Sequence, residues 1–293
     1  MTSILKTEII FATPTEGKQL IEQNDSYTNI LTKFDLQAKV KTAEEVNVLD
    51  YIENAKKYIY DWQYYEIEYL KKAIAKTENK IKELNFNFVL PDKIYLIKSA
   101  MHEEGNANGF TRSNFIVLNF NSLSLHLLEH ELFHIISRYN ADKIEKAYNI
   151  LGFNKCNEIE IPKEIIDFKI TNPDAPFNNY YISVKYRDAN VEAIMLLYSK
   201  THYSGGRFFK YVNKGLMLIE GETNNKKAIL ENGTPKIIDY KDATDLYDQI
   251  GKNTSYDIHQ EEVSADHFIM ALNRETNLPN QNLIDELTKV LQS

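Results

Sequence analysis

Hydrophobic residues follow different periods along the chain. From residue 13 to 84 they recur at helical spacing: Val46, Leu49, Ile52 and Ala55, then Trp62, Tyr65, Ile67, Leu70, Ile74 and Ile81, separated by lysines and glutamates. Thr13-Pro14-Thr15-Glu16 and Thr42-Ala43-Glu44-Glu45 read as capping-box helix starts, the first with proline at the opening position. Residues 1–85 are therefore expected to form a helical N-terminal lobe. After Asn85 the period shortens to two. Phe86, Phe88 and Leu90 alternate, Ile94-Tyr95-Leu96-Ile97 reads as a strand, and Phe110 to Phe120 reads as a second. That strand runs through Asn121 and Ser122, a candidate N-cap, into a helix with an apolar stripe of Leu123, Leu127, Leu128, Leu132, Phe133, Ile135 and Ile136.

A helix over Lys143 to Leu151, stopped by Gly152, is followed by a loop at Asn172-Pro173-Asp174-Ala175-Pro176. Residues 180–238 carry strand patterns, with Asn232-Gly233 as a tight turn. From Gln260 helical spacing returns in Val263, Phe268, Ile269 and Leu272. The class predicted is α+β: a helical lobe (1–85), a small sheet with its following helix (86–140), a helix and loop (141–179), a β-rich section (180–238) and a helical end (239–293). No internal repeat or linker divides these regions, so 1–293 reads as one unit.

Composition narrows the partners. The chain has 293 residues, 43% of them hydrophobic, enough for a substantial core. A net charge of -8 argues against nucleic acid, which calls for a basic surface. No run approaches a membrane span, and the opening residues lack the apolar core of a signal peptide. Cys156 is the only cysteine, so neither a disulfide within the chain nor a cysteine zinc knuckle can form, and a reduced, cytoplasmic setting is expected.

The stretch His130-Glu131-Leu132-Phe133-His134 changes the picture most. Two imidazoles four residues apart share one helix face and can hold one zinc ion, with Glu131 near the open coordination position as general base. Glu262 and Asp266, one turn apart on the later helix, supply what such a site still needs. Glu262 can complete the metal set, and Asp266 can accept the free ring N–H of a ligating histidine. His259 competes with Glu262 as third ligand, whereas His126 and Glu261 are expected to be structural and solvated. Glu131-Leu132-Phe133-His134 is also half of a di-iron helix-bundle motif, but no second E-x-x-H accompanies it.

With His130, Glu131, His134, Glu262 and Asp266 in this order, the chain resembles the gluzincins, the thermolysin-like zinc metallopeptidases. The resemblance implies a zincin-like fold and one Zn2+ held by His130, His134 and Glu262. It also implies Glu131 as general base, Asp266 orienting His130, and hydrolysis of a peptide or protein substrate. Gly105 to Phe110 is similar to the edge strand on which such peptidases lay substrate, which makes Asn106 and Ala107 substrate-binding candidates. Arg112 is a candidate for a substrate carboxylate. The interval between His134 and Glu262 is longer than in compact gluzincins, so the β-rich section is expected to be an insertion. Few residues follow Asp266, so the oxyanion donor is sought upstream: Tyr256 first, then His202, Tyr203 and Arg207. The alternative function is a non-catalytic binding or scaffold protein on a metallopeptidase-like fold.

Overall fold

Two strands, β1 (Thr2–Ile4) and β2 (Thr7–Phe11), open the chain in the computed structural model, which describes residues 2–293. Helices α1 (Pro14–Ile21), α2 (Lys33–Val40) and α3 (Val48–Lys56), the short strand β3 (Ile59–Tyr60) and the long helix α4 (Tyr64–Glu83) follow. Strands β4 (Lys93–Ser99), β5 (Gly109–Arg112) and β6 (Phe115–Asn119) lead into α5 (Leu125–Tyr139) and α6 (Ala141–Ile150). A second run of strands comprises β7 (Phe153–Lys155), β8 (Tyr180–Tyr186), β9 (Ala189–Tyr198), β10 (Asn213–Glu220), β11 (Lys227–Ala228), β12 (Leu230–Glu231), β13 (Thr234–Pro235) and β14 (Ile237–Ile238). Helices α7 (Leu246–Gln249), α8 (Gln260–Leu272) and α9 (Gln281–Gln292) close the chain. The fold is mixed α+β.

The first sheet runs β1-β2-β4-β6-β5, with β3 beside the end of β4. β2, β4 and β6 are parallel, while β5 is an edge strand antiparallel to β6. Period two along β6 sends Ile116 and Leu118 to a core shared with α4 and α5, and Phe115 and Val117 to a core shared with α1 and α3. Helices thus cover both faces. The second sheet runs β11-β10-β9-β8-β7 with β14 beside β10, its pairs antiparallel. One face, with Ile182, Ala193, Met195 and Leu216, joins the main core, and the other packs Ile194, Leu196 and Met217 around Cys156 and Ile159. No helix among the described residues is long and apolar enough to cross a membrane.

Several expectations are corrected. Residues 1–85 are not wholly helical, because β1, β2 and β3 belong to the first sheet and β2 is the parallel partner of β4. The helix expected at Thr42 starts instead at the Asn47 cap, where the Asn47 and Asp50 side chains satisfy each other's backbone N–H groups. Helix α2 is not among the expected elements, and Thr32 and Asp35 cap it in the same way. Phe86 to Leu90 forms no strand. Phe110 to Phe120 is a hairpin, its turn passing through Ser113 with positive φ of 45°. Helix α5 is capped by Ser124 rather than Ser122, the Ser124 hydroxyl accepting from Leu127 N at 3.0 Å. The β-rich section also begins earlier, at β7.

Candidate metal centre

Helices α5 and α8 pack against each other and bring the candidate ligands together. The apolar stripe of α5 buries Leu127, Leu128, Leu132, Phe133, Ile135 and Ile136, so the remaining face carries His130 and His134 toward α8 and Glu131 toward β5. The N-cap of α8 is His259, whose Nδ1 accepts from Glu261 N at 3.2 Å. That cap places Glu261 and Glu262 in the first helical turn, where the positive end of the helix favours carboxylates.

One carboxylate oxygen stands between the two imidazoles. Glu262 Oε2 lies 3.0 Å from His130 Nε2 and 3.6 Å from His134 Nε2. Ligand atoms 2.0–2.1 Å from a tetrahedral zinc are separated by about 3.4 Å, so these spacings suit one ion. His134 Nε2 is buried without a hydrogen-bond partner among the described residues, which is costly unless a ligand takes it. The donor set of two imidazoles and a carboxylate is also one that zinc accepts.

The outer nitrogens are held by carboxylates. His130 Nδ1 lies 3.2 Å from Asp266 Oδ1, and Asp266 accepts from the Thr254 hydroxyl on its other oxygen. His134 Nδ1 lies 2.8 Å from Glu261 Oε1, which also accepts from Ser137 Oγ at 2.6 Å, while the Tyr148 hydroxyl donates to Glu261 Oε2. Asn172 Nδ2 donates to Glu262 Oε1. Burial works against charge on His130, but hydrogen bonds to Asp266 and Glu262 carry its pKa up to about 11. Burial likewise opposes charge on His134, and the carboxylates of Asp174, Glu262 and Glu261 raise it to about 9. Burial would push Glu262 up, yet the two rings and Asn172 bring it down to about 2. The same carboxylate field favours a cation between the rings.

Glu131 is 3% exposed and its Oε2 accepts from Thr111 Oγ1 at 2.7 Å. Burial raises its carboxyl, against the pull of His134 and His130. Its Oε1 sits against Gly109, where a Cβ would be 2.7 Å away, so the carboxylate fits only because that residue has no side chain. A cleft of about 450 Å³ opens here, lined by Asn106, Ala107, Asn108, Gly109, His126, His130, Glu131, Phe209, Tyr256 and Asp266 among others. Asn119 N donates to Asn108 O, so by antiparallel alternation the main-chain groups of Gly109 and Thr111 point away from β6. Tyr256 is 44% exposed with its ring 5.9 Å from His130. The charge of Glu262, then burial, pushes its hydroxyl well above the usual range, so it stays protonated.

The structure therefore gathers His130, Glu131, Asp266, Tyr256, Asn106 and Ala107 along one cleft, with His134 and Glu262 buried beside His130. Other expectations are corrected. Arg112 does not face it: period two along β5 turns Gly109 and Thr111 toward α5 and Phe110 and Arg112 to the opposite side. There Arg112 is buried, donating to Asp25 Oδ2 at 2.7 Å and to the carbonyls of Ile21 and Gln23. His259 is a helix cap rather than a rival ligand. Glu261 is buried against His134 rather than solvated. Tyr203 is buried and donates to the Gly206 carbonyl, and His202 stacks on Phe168. Thr111, Gly109, Asn172 and Asp174 are not among the expected site residues. An aspartate between two prolines was the available signal for the last of these, since such a loop is held in one shape.

Asp174 reaches the cluster from the Asn172–Pro176 loop. Its Oδ1 accepts from Thr111 N at 2.6 Å, and it groups with Glu131 and His134, ligand atoms of the three lying within 4.8 Å of one another. Against this geometry, comparisons with protein-family models, with curated proteins and with solved structures find no match to the chain.

Proposed function

We propose that the protein is a zinc-dependent metallopeptidase with a zincin-like arrangement, in which α5 lies beneath a sheet whose edge strand β5 receives an extended peptide. The observation that carries the reading is the single point faced by His130 Nε2, the unpartnered His134 Nε2 and Glu262 Oε2. His130, His134 and Glu262 would hold the ion, with Asp266 and Glu261 fixing the two rings through Nδ1.

Zinc, when bound, supplies a Lewis acid and makes water a competent nucleophile near neutral pH. Glu131, next to the cluster and steadied by Thr111, takes the proton of the attacking water and passes it to the leaving amine. The Tyr256 hydroxyl, kept protonated by its carboxylate neighbours, is the donor for the developing oxyanion. The outward N–H and C=O of Gly109 offer a peptide two main-chain hydrogen bonds.

Metal analysis combined with cleavage of a broad peptide library, with and without chelator, tests the reading. One zinc per chain and chelator-sensitive cleavage are expected. Glu131→Gln should retain zinc while activity falls by about 10²–10⁴-fold, the usual worth of a general base. Iron in place of zinc, an absence of cleavage by the zinc-loaded protein, or undiminished activity in Glu131→Gln would each overturn it.

A further inference from the structure

The carboxylate of Glu262 has two oxygens, and the structure gives them different partners. Oε2 lies 3.0 Å from His130 Nε2 and 3.6 Å from His134 Nε2. Oε1 accepts from the Asn172 side-chain amide, and no other donor among the described residues reaches it. Glu262 is 1% exposed, so solvent does not stand in for that amide.

Asn172 is mounted firmly enough to make this choice. On the side before it, Ile170 N donates to Leu197 O at 2.9 Å, Thr171 N donates to Asp35 Oδ1 at 3.1 Å, and the Lys169 carbonyl accepts from the Thr32 hydroxyl at the cap of α2. On the side after it, Arg138 holds the Pro173 and Asp174 carbonyls, and Asp174 Oδ1 accepts from Thr111 N. Asn172 Oδ1 accepts from Asp174 N at 3.0 Å, an Asx turn that fixes which end of the amide is left for Glu262. The donor is also neutral. A lysine or arginine in its place would compete with a bound cation for the carboxylate charge, whereas an amide occupies one oxygen and leaves the charge.

Resting on the metallopeptidase reading, we propose that Asn172 is a positioning residue that holds Glu262 to ligation through one oxygen and so keeps a coordination position open for water. A catalytic zinc site works with three protein ligands and one open place. A carboxylate, however, can offer a cation both of its oxygens. Without the amide, Oε1 is a buried anionic atom with no partner, a costly state that the nearby cation relieves. Glu262 then binds through both oxygens and fills the place where Glu131 needs water. Loss of Asn172 should therefore leave the metal held no less tightly while turnover falls.

The test replaces Asn172 in the full-length protein. Asn172→Ser keeps an oxygen for the turn to Asp174 N but is too short to reach Glu262, whereas Asn172→Ala removes both bonds. Cobalt(II) in place of zinc reports the ligation, because its visible absorption weakens as coordination number rises. The wild type is expected to show four-coordinate cobalt, and both variants a weaker spectrum of higher coordination. With zinc, kcat should fall by about tenfold to a hundredfold in both variants at little change in KM, while zinc affinity in a competition titration holds or rises. Weaker zinc binding, an unchanged cobalt spectrum or undiminished kcat in folded variants would each overturn the inference and leave the peptidase reading standing. An effect confined to Asn172→Ala does the same, since it assigns the residue to the loop alone. High-coordinate cobalt in the wild type overturns the inference without any variant. A wild type that binds no metal, or that cleaves no peptide when loaded with zinc, overturns both.

Discussion

At the scale of single residues, the site depends on groups that take no part in the proposed reaction. Gly109 lets Glu131 lie against the edge strand, and any Cβ would be driven into that carboxylate. Gly109→Ala should therefore leave zinc affinity nearly intact and lower kcat by about a hundredfold, the effect of misplacing a reacting group by roughly an ångström; steady-state kinetics beside a zinc titration checks this. Glu261 holds the ring of His134 from behind while satisfying Ser137 and Tyr148. Glu261→Gln should weaken zinc binding by about tenfold to a hundredfold in a competition titration, because a neutral amide orients and polarises the imidazole less well.

At the scale of elements, α8 carries two histidines that resist protonation. His267 is buried with Nε2 unpartnered among the described residues, and burial pulls its pKa down to about 4; burial does the same to His259, the helix cap. Both folded values lie below the ordinary imidazole value of about 6.5, so below that pH the unfolded chain binds protons that the native chain refuses. Their contribution is complete above about pH 6.5 and is lost as pH falls toward 4, by up to about 3 kcal/mol for each. Urea denaturation with chelator present should show the midpoint dropping across this window, and His267→Gln should flatten the drop. Helices α5 and α8 were legible in the sequence because their patterns are local: an apolar stripe fixes the face that remains for His130, His134, Glu262 and Asp266. The partner of His134 was not, since Glu261 is buried by α6 residue Tyr148, which no local period announces. Strands β1 and β2 are too short to show a period and gain their order from pairing with each other and with β4.

At the scale of the molecule, the candidate ligands join two helices separated in sequence by the whole second sheet. A metal bound there acts as a cross-link of the native state, and its affinity adds to folding stability. Zinc at about a thousand times its Kd should add about 4 kcal/mol, read as an upward shift in Tm that His130→Ala abolishes. The loop bearing Asp174 is expected from its prolines, but its place beside the cluster is not, for the same reason. Its contacts are made to β5 and α5, and only the assembled fold brings them together.

Arg138 makes this arrangement stiff. A single guanidinium binds carbonyls of α5, of the edge strand and of the proline-flanked loop, so helix, edge strand and loop are riveted into one block. Whatever breathing admits a bulky guest must then come from the opposite bank, where Phe209 and Tyr256 stand half-exposed on separate segments.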